Sequence, residues 1–134
     1  LIITSGGKNL SPETIENALK TSPYLHEAVA IGDGRNFVSA LLQIEFDVVA
    51  DWATRADIRY TSFADLSAKD EVRKLLDAEV RRCNDLLPRV AQVREFRTLP
   101  KELSEDDGEL TATQKVRRRN VHAAYDSLIQ DIYG

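Results

Sequence analysis

The sequence predicts an α+β domain over residues 1–134: a small, mainly antiparallel sheet containing a hairpin, packed by about three to four helices. Three observations point to it. Two apolar runs, "EAVAI" and "FVSALLQIEF", flank Asp33-Gly34-Arg35-Asn36 as a hairpin would. Apolar stripes at helical spacing stand on both sides of that hairpin. No repeat or low-complexity linker divides the chain.

Taken in order, "LIITS" is a short β-branched run ended by Gly6-Gly7. A helix follows, with Ser11 as N-cap, Pro12 at its first position and Glu13 suiting the helix dipole. Ile15, Ala18 and Leu19 form its stripe, and Ser22-Pro23 ends it. The hairpin loop is expected to hold about four residues. Its strands are too continuously apolar for a one-sided sheet, which places the hairpin centrally. Asp47 to Ala56 reads as a helix with Val48 and Trp52 on one side, and Arg59 to Leu66 as a polar-aromatic connection. Ser67 with Asp70 suggests a capping box for a longer helix whose stripe is Val72, Leu75, Leu76, Val80, Cys83 and Leu87. Val93 to Leu99 is a further strand stopped by Pro100, and "KELSEDDGEL" an acidic turn with Asp107-Gly108 at its tip. The last helix presents Val121, Ala124, Tyr125, Leu128 and Ile132.

Composition narrows the function. With 43% hydrophobic residues the chain can build a core, and with 30% charged residues a solvated surface. A net charge of -4 argues against a general nucleic-acid binder. Cys83 is the single cysteine and falls on an apolar stripe, so neither a disulfide nor a zinc cluster is expected, which suits a reducing cytosol. No apolar run approaches the ~20 residues of a membrane span. The opening on Leu1 inside an apolar run reads as a piece of a longer protein that begins at a domain boundary.

Few residues carry chemistry. His26 and His122 lie far apart and outside any nucleophile motif, and His122 is expected on an exposed helix face. The carboxylates Glu102, Glu105, Asp106, Asp107 and Glu109 read as a solvated turn, and metal-ligand spacing is absent. In "SGGKN" the glycines permit close backbone approach and Lys8 could reach a phosphate, although the stretch lacks the pattern of a phosphate loop. In "LTATQKVRRRN" Lys115 and three arginines crowd the start of a helix, against its dipole unless anions or acidic partners compensate.

Those last two stretches, "IITSGGKNLSPETIE" and "DGELTATQKVRRR", together with "HEAVAIGDGRNFVSALL" between them, resemble the small C-terminal domain of adenylate-forming enzymes, in particular long-chain fatty acyl-CoA synthetases. The resemblance covers nearly the whole chain. It implies ATP, Mg2+ and CoA as cofactors, fatty acid as substrate and the enzyme's own N-terminal domain as partner, with the Mg2+ and adenine sites there. It implies that Lys115 reaches the carboxylate and α-phosphate as the acyl-adenylate forms, and that Gly7 lines the channel of the CoA thiol, flanked by Gly6, Lys8 and Asn9. Ala112 stands where the family often has proline. The resemblance implies that the domain rotates after adenylation, exchanging Lys115 for the Gly7 loop. Arg117, Arg118 and Arg119 either hold CoA phosphates or pair with the acidic turn, the second being preferred. The segment from Asp47 to Leu87 resembles the long-chain synthetases more than domains that load a carrier protein. A fatty acyl-AMP ligase and a stand-alone phosphate-binding module are the alternatives. The expected setting is cytoplasmic, with at most peripheral membrane contact, and the 134-residue chain alone is expected to fold without turning over.

Overall fold

The computed structural model describes all residues from Leu1 to Gly134. A short ribbon, β1 (Ile2–Ile3) and β2 (Asn9–Leu10), leads into α1 (Pro12–Leu19). The Ser11 hydroxyl accepts from the Thr14 amide and Pro12 occupies the first turn, as the sequence implies. The main sheet has the order β3-β4-β5, with β3 (Leu25–Ile31) antiparallel to β4 (Val38–Ile44) and β4 parallel to β5 (Val93–Thr98). The expected hairpin is therefore present, but β4 alone is central and β3 is an edge strand. Its loop runs from Gly32 to Phe37, longer than the expected four residues, because Gly34 and Arg35 dock on the β1–β2 ribbon.

Both faces of this sheet are covered, which explains the continuous apolar runs. Ala28, Ala30, Val38, Ala40, Leu42, Ile44 and Phe96 join the larger core with Leu19 of α1 and the later helix stripe. The alternate residues Val29, Ile31 and Leu41 join a second core with Leu99, Leu103, Val121, Tyr125 and Ile129.

Helix α2 (Phe46–Arg55) buries Val49 and Ala53, a stripe one residue on from the expected Val48 and Trp52. The connection from Arg59 is more ordered than expected: α3 (Phe63–Ser67) forms there, capped by the Ser62 hydroxyl. Phe63 stacks on Phe46 at 5.8 Å, and Tyr60 meets Phe46 edge-on at 6.1 Å. Ser67 thus closes α3 and does not cap the next helix, α4 (Asp70–Asn84), whose N-cap is Lys69. The α4 stripe of Val72, Leu76, Val80 and Cys83 is buried as expected, and Leu87 beyond it is buried too. Cys83 is a core thiol.

The final helical segment breaks in two, α5 (Arg118–Ala124) and α6 (Asp126–Tyr133). Tyr125 leaves the helical region (φ -113°, ψ 26°) while its ring enters the second core. Val121, Tyr125 and Ile129 are buried at four-residue spacing and Ala124 is exposed, so the buried face differs from the expected stripe.

Candidate functional site

The lysine segment is a small closed loop. Leu110 and Val116 form an antiparallel bridge at its base. The Thr111 amide donates to the Lys115 carbonyl at 2.8 Å, and the Lys115 amide donates to the Thr111 hydroxyl at 3.1 Å. Gln114 adopts φ 66°, which sends the chain back on itself. The threonines therefore shape the loop, and Lys115 stands at its end. Its side chain is exposed, and its ammonium has no hydrogen bond or ion pair within the chain.

The glycine segment is the turn of the β1–β2 ribbon. The Gly7 amide donates to the Thr4 carbonyl at 2.9 Å, and Gly7 takes φ 81°. A Cβ at Gly7 would meet nothing within 4 Å, so backbone conformation is what requires glycine within this chain. The turn is fixed to the hairpin loop by the Ser5 amide on the Arg35 carbonyl and the Gly34 amide on the Ile3 carbonyl. Gly6 and Lys8 line a cleft of about 570 Å³ with Phe37, Arg89 and Arg94. No acidic side chain lines it, and Lys8, Arg89 and Arg94 have no ion-pair partner. Asn9 pairs with Ile3 in the ribbon and lies outside that lining.

Lys115 opens on a different cleft, of about 320 Å³, shared with Glu13, Lys20, Glu27 and Arg118. The two clefts have no residue in common. Yet the two segments are mechanically joined. Arg118, three residues after Lys115, donates both terminal nitrogens to the Glu16 carboxylate of α1 at 2.5 Å. Glu16 also accepts from the Ala30 amide at 2.8 Å. This hydrogen-bonded pair raises the Arg118 pKa despite partial burial. The arginine therefore pairs with the helix after the glycine segment, not with the acidic turn as preferred from sequence. Arg117 and Arg119 form no ion pair. Sequence reasoning missed the role of Glu16, which an apolar stripe beside it concealed.

The acidic turn holds a second exception. Glu109 is 3% exposed, not solvated. Its carboxylate accepts from Lys101 Nζ and Tyr125 Oη, each at 2.5 Å, and from the Ser104 amide at 3.1 Å. Burial alone would lower the Lys101 pKa, yet its bonds to Glu109 and Asp107 hold it above the ordinary value.

His122 is half-buried, with Nε2 unpartnered, where an exposed position was expected. Burial, aided by the Arg118 charge, lowers its pKa against opposing pulls from Asp33 and Glu16. A folded-state pKa below the unfolded one means that the unfolded chain binds the proton first. Stability is therefore full above about pH 7 and falls as pH drops through about 6.5 and below. Urea titrations from pH 7.5 to 5 are expected to show this decline, and His122→Gln to flatten it.

Comparison with known proteins fits this geometry. The family described as the AMP-binding enzyme C-terminal domain matches residues 1–134. The chain is 35% identical over 134 residues to the long-chain-fatty-acid–CoA ligase FadD15 of Mycobacterium tuberculosis, covering 99% of this chain and 22% of that protein. With the human long-chain-fatty-acid–CoA ligase ACSBG1 it shares 30% identity over 151 residues, or 99% of this chain and 21% of that one. It thus spans about a fifth of the length of these relatives. Among solved structures, the adenylation domain of a carboxylate reductase from Mycobacterium chelonae superposes with a TM-score of 0.77 at 16% identity, over 98% of this chain and 19% of that one. The A-PCP didomain of carboxylic acid reductase from Segniliparus rugosus, in complex with AMP, gives 0.74 at 18% identity, over 99% and 17%. At those identities the likeness is one of fold. The family match extends over every residue of both segments described above, and the chain belongs to the AMP-binding enzyme C-terminal domain family.

Proposed function

We propose that this chain is the mobile C-terminal domain of a long-chain fatty acid–CoA ligase. In this reading Lys115 serves acyl-adenylate formation, and the Gly6–Lys8 turn serves thioester formation. The observation that carries it is that the unpaired Lys115 and the glycine turn open on separate clefts of one domain. In this reading a single active centre on a larger domain meets them in turn, by rotation.

The chemistry follows from the residues. As the fatty carboxylate attacks the α-phosphorus and pyrophosphate leaves, the Lys115 ammonium neutralises charge on carboxylate and phosphate oxygens. In the second step the CoA thiol gives up its proton, its sulfur attacks the acyl carbonyl, and AMP departs. The Gly7 turn would border the thiol's path, where a side chain would obstruct it. Lys8, Arg89 and Arg94 form an uncompensated cationic wall suited to the phosphates of CoA. In this reading the Mg2+ and adenine sites belong to the N-terminal domain. A cytoplasmic setting belongs to this reading, and no helix is long and apolar enough to cross a membrane.

The cationic cleft favours CoA over a carrier protein as acceptor, and Arg94→Glu tests it in the full-length ligase. The KM for CoA is expected to rise about tenfold or more, the loss of a charge-assisted contact, with those for ATP and fatty acid unchanged. An unchanged KM for CoA, or preferential transfer to a carrier-protein thiol, would contradict this assignment.

A further inference from the structure

We infer that Glu109, Tyr125 and Lys101 form an anchor, centred on the buried Glu109 carboxylate, that aims the Lys115 loop, an inference that rests on the adenylation role proposed above. The loop from Leu110 to Val116 has one foot, where Glu109 meets Arg117. There the Arg117 amide donates to the Glu109 carbonyl at 2.8 Å, and the Glu109 amide donates to the Ser104 carbonyl at 2.9 Å. Beyond that foot, the Leu110 amide donates to the Ser104 carbonyl at 3.2 Å, Leu110 and Val116 pack on the second core, and the remaining bonds are those between Thr111, Thr113, Gln114 and Lys115. The polar end of the loop is therefore fixed by what holds Glu109, beside the packing of Leu110 and Val116 on the second core.

What holds it is unusual for an acidic turn. A buried carboxylate is costly unless its oxygens are matched by donors. Here Tyr125 Oη takes one oxygen, and Lys101 Nζ and the Ser104 amide take the other. Lys101 is in turn tied to Asp107 at 2.9 Å. Tyr125 stands at the break between α5 and α6, with its ring in the second core. The foot of the loop is thus keyed to the core through the Tyr125 phenol and to the acidic turn through the partly exposed Lys101 ammonium, while Lys115 remains unpaired. These are positioning residues: Tyr125 and Lys101 act on the loop through Glu109 at its foot.

Two measurements test the inference. In the 134-residue chain, Glu109→Gln is expected to speed hydrogen exchange at the Thr111, Lys115 and Arg117 amides at least about tenfold. The β3–β4 ladder should keep its protection. In the full-length ligase, the same change is expected to slow fatty-acid-dependent ATP–pyrophosphate exchange about ten- to a hundredfold. The KM for ATP and the thioester step should be unaltered, the signature of a displaced catalytic group. In a Lys115→Ala background the change should cost nothing further. Tyr125→Phe, a milder change, should move both readouts in the same direction. Unchanged amide protection, or an equal rate loss with and without Lys115, would overturn the inference. If Lys115→Ala alone leaves exchange intact, the adenylation reading itself fails and the anchor's catalytic role falls with it. The behaviour of that single variant tells the two failures apart.

Discussion

Arg118→Ala is expected to lower the stability of the chain by about 2–4 kcal/mol, read as a shift in the urea midpoint with little change in slope. The side chain of Glu16 is 9% exposed, and without Arg118 its carboxylate would keep only the Ala30 amide as partner. Breaking a buried pair from one side leaves an uncompensated charge, which costs more than the pair itself contributes. The arginine side chain is 36% exposed, so solvent screens part of that loss and the estimate stays below the fully buried limit. The paired replacement Glu16→Leu with Arg118→Leu is expected to recover most of it, since no orphaned charge remains. A single variant as stable as wild type would mean that the bidentate contact is not formed in solution.

The same pair has a second consequence. It links α1, which follows the glycine turn, to α5, which follows the Lys115 loop. Two segments that open on separate clefts are thereby held as one body. A rigid body turning as a unit could exchange one segment for the other without refolding either.

Much of this fold was legible because local chemistry and tertiary packing agreed. Ser11-Pro12 began α1 as capping rules require, and the stripe of α4 lay where its spacing put it. The errors arose where tertiary contacts decided. Phe46 draws Tyr60 and Phe63 into an aromatic cluster, so α3 forms and takes Ser67 away from α4. Tyr125 is drawn into the second core and interrupts a helix that periodicity alone would continue. Charged residues were the least legible. Glu109 and Glu16 look like ordinary surface carboxylates in sequence, and their burial depends on donors eight and 102 residues distant. Lys115 is singled out by its motif alone, and within the chain it is exposed and unpaired. Asn9, by contrast, has a place in the ribbon but none in the cleft.

The central claim is that Lys115 acts in one half-reaction and the glycine turn in the other. Lys115→Ala in the full-length ligase, with the half-reactions assayed separately, tests it most directly. Because Lys115 has no partner within the chain, its removal should leave stability nearly unchanged, and any rate loss then reports on chemistry. Fatty-acid-dependent ATP–pyrophosphate exchange is expected to fall on the order of 10²–10³-fold, the usual cost of one well-aimed charge contact in a transition state. Thioester formation from supplied acyl-adenylate and CoA should proceed at close to the wild-type rate. Exchange that persists, or an equal collapse of both steps, would contradict the division of labour between the two clefts.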